Sequence, residues 1–335
     1  MTRRGMEIAR NTRMARTCVA AVVLALAAAG VAGCGGDGTP QEGGKRDVVR
    51  VGVIPTGGIA PLHLGIKKGF FEKRGIEVKT QLAEGGAAIV PGVVNGDLHV
   101  GYGATVSSAI ARGKGLPVKI IAGGTLGGRT AEESINKVVV LGSSEIRSPQ
   151  DLEGKTVAVN TLGSVAELLI KAVLEKSGVD ISKVRFVEIP LPEMLPSLES
   201  GNADAVWATE PFLSQAEDQG HRALFSMDAE FAPYTNLASY FTSEQFIAEN
   251  PDLVGRFIEA ANESLSYARE HPDEARDVMG SYLETPEKAI QSMTLPLWDP
   301  DLQVDTIELQ ARYAAKYGLM DRQPATSELI YEHAG

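Results

Sequence analysis

The sequence predicts an α/β protein built from repeated strand–helix units, and three observations predict it. Apolar runs recur at roughly 20-residue spacing and alternate with helical patterns, the rhythm of parallel βαβ units. The runs are unbroken and rich in Val and Ile, as suits strands buried on both faces. Most end in Gly- or Pro-containing turns that lead into a helix.

The first unit sets the pattern. Val48 to Pro55 reads as a buried parallel strand that breaks at Pro55-Thr56-Gly57-Gly58. Pro61 suits the first position of a helix, where its missing N–H has no partner to lose, and Gly69 ends that helix. Ile76 to Leu82 is the second strand. Ligands of open α/β sheets sit outside the carboxyl ends of the strands, so Thr56 to Pro61 is a candidate binding segment. A helix from Gly85-Gly86 to Asn95, a strand His99–Gly103, a helix Thr105–Arg112 and a strand Val118–Ala122 follow. Residues 123–130 read as a Gly-rich loop before a strand at Lys137–Leu141.

A second set of units begins at Ser148. Lys155–Asn160 is a strand, and Ser164 with Glu167 forms an S-x-x-E capping box at the head of a helix running to Lys176. Leu168, Leu169, Ala172 and Val173 form its apolar stripe, and Gly178 stands where a C′ residue belongs. Strands at Val184–Ile189, Ala203–Thr209 and Arg222–Ser226 alternate with helices at Pro192–Ser200 and from Glu210-Pro211 to Gln219. Thr235–Phe241 reads as a strand leading back, and from Ser243 onward the chain reads as mostly helical, with helices at Ser243–Glu249, Pro251–Glu270, Pro272–Leu283, Pro286–Thr294 and Val304–Tyr317.

Residues 1–33 have the form of an export signal, with five Arg before the apolar Val19–Val31 run and small residues leading to Cys34. Val31-Ala32-Gly33-Cys34 matches a bacterial lipobox, in which the Cys is lipidated. Residues 34–47 read as a flexible tether. The net charge is −11; the first 33 residues hold five Arg and one Glu, so their removal leaves 27 basic and 42 acidic residues and a net charge of −15. Nucleic acid is a poor partner for such a chain, because phosphate binding needs clustered Lys and Arg. The two Cys are Cys18 in the signal and Cys34, so the folded body has no thiol chemistry.

GVIPTGGIAPLHLGIKKGFFEKRGIEV, VNGDLHVGYG, LEGKTVAV and LESGNADAVWATEPF, in that order, resemble the solute-binding proteins of ABC importers for nitrate, sulfonate, taurine, bicarbonate and thiamine-pyrimidine precursors. The resemblance implies a two-lobed periplasmic-binding-protein fold of type II. Each lobe is a mostly parallel sheet flanked by helices, with residues 48–130 and 231–335 in lobe I, 131–230 in lobe II and two hinge crossovers near 125–138 and 227–236. It implies a cleft lined by Thr56, Gly57, Gly58 and Ile59; by Gly103, Ala104 and Thr105; by Asn160, Thr161, Gly163 and Ser164; and by Glu210. It further implies a monomeric, membrane-anchored receptor that delivers a small solute to an ABC permease and its ATPase, with no cofactor and no metal.

Three of these loops precede helix N-termini, where free N–H groups and the helix dipole favour an anion or a carbonyl edge. The plainer role of Gly57, Gly58 and Gly163 is to permit tight strand–helix turns. Ser164 divides between helix cap and ligand contact, and so does Glu210, which opposes a small anion but suits an ammonium or a ring N–H. Trp207 and the tyrosines Tyr102 and Tyr240 are candidate aromatic walls, with core packing as their alternative. Arg129 is a candidate carboxylate or sulfonate partner or a solvated loop residue. The His residues are scattered, and no nucleophile elbow, phosphate loop or proton-transfer pair stands out. The reading is a binding protein for a sulfonate- or taurine-like or pyrimidine-like solute; the alternatives are a nitrate- or bicarbonate-type receptor and an enzyme of the same fold, such as a pyrimidine-precursor synthase.

Overall fold

Among the described residues eleven strands make two mixed sheets, and the route of the chain between them fixes which strands run backwards. The computed structural model describes residues 46–83 and 85–333; the signal 1–33, Cys34 and the tether as far as Lys45 lie outside the described residues. Strands β1 (Asp47–Val53), β2 (Ile76–Leu82), β3 (Val100–Ala104) and β4 (Val118–Leu126) belong to the first sheet. Strands β5 (Asn136–Val140), β6 (Thr156–Val159), β7 (Arg185–Glu188), β8 (Ala205–Thr209) and β9 (Arg222–Ser226) form the second. With β10 (Asn236–Ser243) and β11 (Leu297–Asp299), the first sheet has the order β11-β4-β10-β3-β1-β2, and the second β7-β6-β8-β5-β9. Asp47, expected as tether, is already strand and pairs with Ile76.

Helices α1 (Ala60–Lys67), α2 (Gly86–Val94) and α3 (Thr105–Gly113) link the strands of the first sheet, and α4 (Val165–Lys176), α5 (Met194–Glu199) and α6 (Phe212–Asp218) those of the second. Then come α7 (Met227–Phe231) before β10, and α8 (Glu244–Glu249), α9 (Pro251–Glu270), α10 (Pro272–Met279), α11 (Glu287–Ser292), α12 (Val304–Lys316) and α13 (Thr326–Leu329).

The chain leaves the first sheet at the carboxyl end of β4 and enters the second at β5; it returns from β9 to β10 through α7. Both entering strands start at the end where the parallel strands finish, so both must run antiparallel to their neighbours. Thus β5 is antiparallel to β8 and β9, and β10 to β3 and β4. The two linking segments are bonded to each other, Gly127 N donating to Thr235 O at 2.8 Å and Tyr234 N to Gly128 O at 3.4 Å.

Gly123 and Gly124 are strand, not loop: β4 continues through them because a Cβ at Gly123 would lie 2.3 Å from Asp299 O and one at Gly124 2.5 Å from Ala238 O. Between the C-terminal helices, in a stretch unassigned from the sequence, β11 pairs antiparallel with β4 and buries Trp298.

Val49, Val51 and Val53 pack with Leu62, Phe257 and Leu265 beneath the first sheet. The core of the second sheet, with Val157, Leu168, Leu169 and Val206, extends to Ile307, Ala311 and Ala314 of α12. Those three positions recur at helical spacing, giving α12 one apolar face. Read from sequence as part of lobe I, α12 packs across both sets of elements: Lys316 Nζ donates to Glu175 of α4 at 2.6 Å, and Gln310 Nε2 to Asn236 O of β10 at 2.9 Å.

Candidate functional site

The carboxyl ends of the parallel strands of both sheets meet at a cavity of about 90 Å³. The first sheet contributes Ile54, Thr56, Gly57, Gly58, Tyr102 and Thr125, and the second Asn136, Asn160, Ser164, Trp207, Thr209 and Glu210.

The first wall is set by close approach. After β1 the chain makes a 3₁₀ turn, Gly57–Ile59, into α1. A Cβ on Gly58 would come within 2.9 Å of Thr125 Oγ1, so the turn lies against β4 only without a side chain there. Tyr102 Oη donates to Gly58 O at 3.0 Å and accepts from Thr125 Oγ1 at 2.6 Å. Burial pushes its phenol pKa up, so it stays protonated and holds the turn. Tyr240, fully buried, packs behind Tyr102 with ring centroids 4.7 Å apart and the rings tilted by 59°, and does not reach the cavity.

The opposite wall is set by capping. Ser164 Oγ accepts from Glu167 N at 3.4 Å, as an N-cap should. The reciprocal arm falls one residue early: the Glu167 carboxylate takes the N–H of Gly163 at 2.6 Å. As an acceptor for the helix, the Ser164 hydroxyl keeps its own proton to donate.

Glu210 follows β8 and is 2 % exposed. Its Oε2 accepts from Ser214 N at 3.1 Å. Its Oε1 accepts from Ser214 Oγ at 3.0 Å and from Thr294 N, beyond α11, at 3.0 Å. The side chain therefore caps α6, lines the cavity and joins the two sets of elements. Burial raises its pKa, and the Ser214 and Thr294 bonds oppose that rise. Trp207 also lines the cavity, and its indole Nε1 donates to Asn136 Oδ1 at 3.1 Å.

Eight of the twelve residues singled out from the sequence line the cavity: Thr56, Gly57, Gly58, Gly103, Ala104, Asn160, Ser164 and Glu210. Four do not. Ile59 is in the core beneath the first sheet. Thr105 is fully buried, its Oγ1 donating to Ser239 Oγ at 3.2 Å and accepting from Asn236 Nδ2 at 3.1 Å. Thr161 turns toward Gly85, where a Cβ would lie 2.7 Å from its Oγ1. Gly163 serves the turn, with φ +72°. Arg129 is exposed beside Glu133, away from the cavity.

The lining residues not singled out include Thr125, Ile135, Asn136, Leu237, Ala238 and Pro296. Ile135 with Asn136, and Leu237 with Ala238, stand at the starts of the two antiparallel strands; an expectation that looks only to strand ends passes over them. Pro296 lies between two of the helices expected from the sequence, in a stretch without an expected role. Among the described residues lining the cavity there is no Lys, Arg or His, and Glu210 is the one ionisable carboxylate.

Residues 57–275 match the model of a family described as NMT1/THI5 like. The "Putative aliphatic sulfonates-binding protein" of Bacillus subtilis (strain 168) is 26% identical over 267 residues, covering 78% of each chain. The formylaminopyrimidine-binding protein of Halalkalibacterium halodurans is 25% identical over 224 residues, 65% of this chain and 64% of the other. Among solved structures, the alkanesulfonate-binding protein SsuA from Xanthomonas axonopodis pv. citri bound to MOPS superposes with a TM-score of 0.69 at 17% identity, over 83% of this chain and 95% of the other. Two sheets joined by two crossovers are thus the periplasmic-binding-protein fold, and with the match spanning well over half of its length the chain belongs to the NMT1/THI5-like family.

Proposed function

We propose that this protein is the extracytoplasmic solute-binding component of an ABC importer. It is anchored through a lipidated Cys34, captures a small polar organic solute between its lobes as a monomer and presents it to the permease and ATPase. Its relatives' ligands and its export signal support the receptor reading. The observation that carries the choice of solute is the pairing of donors with one buried carboxylate in a cavity without a lining cation. The Ser164 hydroxyl and the helix-start amides around Gly57 and Gly58 want an acceptor on the ligand. Glu210, when ionised, is acceptor-only and wants a donor. A taurine-like zwitterion or an aminopyrimidine satisfies both; nitrate against Glu210 is repelled or forces its protonation.

Calorimetry on the protein with taurine, 4-aminopyrimidine and nitrate tests the reading. Binding of at least one organic probe, weakened about 10-fold or more by Glu210→Ala, is expected, because a hydrogen bond to a charged group is worth about 1.5–3 kcal/mol. Tight nitrate binding indifferent to Glu210→Ala reinstates the inorganic-anion receptor.

A further inference from the structure

Asn136 is the first residue of β5 and is 5 % exposed, yet among the described residues only the oxygen of its side-chain amide has a partner. Its main chain is anchored, since Asn136 N donates to Ser134 Oγ at 3.2 Å. Its Oδ1 accepts from Trp207 Nε1 at 3.1 Å. An indole N–H only donates, so the amide atom facing it must be the oxygen, and the NH₂ is fixed on the other branch. Among the described residues none accepts a bond from Nδ2, and the side chain lines the cavity. The NH₂ therefore opens onto the cavity, where a solute acceptor can meet it.

We propose that Asn136 is a specificity-determining residue of the cleft, its amide NH₂ held by Trp207 to donate to a carbonyl, ring-nitrogen or anionic oxygen acceptor of the solute. The proposal rests on the receptor reading above and adds to it a donor that does not belong to a helix terminus. A ligand lacking an acceptor at this point leaves Nδ2 unpaired and is selected against, in the way sites built to hydrogen-bond a group reject analogues without it.

Two substitutions separate this role from a purely structural one. Asn136→Asp keeps an acceptor for Trp207 Nε1 but removes the donor; Asn136→Ala removes both. Calorimetry with taurine and 4-aminopyrimidine is run on wild type and both variants, with thermal unfolding as the control. For the emission measurement the parent and both variants carry Trp298→Phe, so that Trp207 is the sole tryptophan and its emission reports the indole bond. The expected result is a loss of about 10-fold or more in affinity for the bound probe in both variants, with Trp207 emission unchanged in Asn136→Asp. Affinity within twofold of wild type in Asn136→Asp, with a loss only in Asn136→Ala, shows that Asn136 merely positions Trp207 and overturns the proposal while leaving the receptor reading intact. Binding of neither probe to wild type overturns both. If Asn136→Asp does not fold, Trp207→Phe takes its place: it retains the ring and frees the amide, and a loss of less than twofold overturns the proposal.

Discussion

Two buried carboxylates, Glu210 at the cleft and Asp228 between the crossovers, have similar chemistry and different partners. Each is almost fully buried, each has its pKa raised by burial, and each accepts from three protein donors. The donors to Asp228 are Gly128 N at 3.2 Å, Ser226 Oγ at 3.0 Å and Ser134 Oγ, all from the two linking segments and their flanks. Those to Glu210 come from its own helix and, through Thr294, from the chain beyond α11. Under the proposed two-lobed closure, the Glu210–Thr294 bond would lie across the gap and break on opening, whereas the Asp228 bonds, made among the linking segments and their flanks, would persist. In that closure Asp228 would act as a pin and Glu210 as a latch.

The largest expected effect breaks the pin. Asp228→Ala leaves three buried donors without their acceptor and is expected to destabilise the fold by about 2–4 kcal/mol. A urea midpoint that does not move refutes the idea of a pin. Glu210→Ala is expected to cost the fold only about 1 kcal/mol, the value of a lost cap. Its larger signature is in solution scattering, where the ligand-free protein becomes more open; a radius of gyration equal to wild type refutes the latch.

The acid dependence sharpens the comparison at smaller magnitude. The folded state holds the Asp228 proton more tightly than the unfolded state, so its contribution is fully present below the ordinary Asp value of about 3.9 and is lost as pH rises through the raised folded value. Asp228→Asn has no such titration. Its destabilisation relative to wild type is therefore expected to be greatest near pH 4 and to shrink toward neutrality in denaturation series at several pH values; a constant difference contradicts the raised pKa. The smallest effect is that of Ser134→Ala, which removes one of the three Asp228 donors and is expected to cost about 1 kcal/mol.

The parts of the molecule legible in the sequence are those where one local signal decides the matter. Ile76 to Leu82 is strand with both ends as expected, and Ser164 is the N-cap that its spacing to Glu167 implies. The turn at Gly57-Gly58 and the placement of Glu210 follow from strand ends. Features that depend on what lies opposite were not legible. Gly123 and Gly124 look like loop residues until Asp299 and Ala238 are seen pressed against them. The three residues of β11 carry no strand signal without β4 beside them. Asn136 is an ordinary polar residue until Trp207, 71 positions on, turns its amide.

The starts of β5 and β10 have one more consequence. Ile135 and Asn136 follow directly on one linking segment and Leu237 and Ala238 on the other, and all four line the cavity. Under the proposed function, apparent affinity is intrinsic affinity scaled by the fraction of molecules already competent to bind. A substitution at these positions that alters which solute fits also alters that fraction, since the same backbone sets both. Selectivity and resting conformation are then inherited together, so a descendant drifting to a new solute along these strands would need compensating changes among the linking segments and their flanks, at Ser134, Asp228 or Thr235.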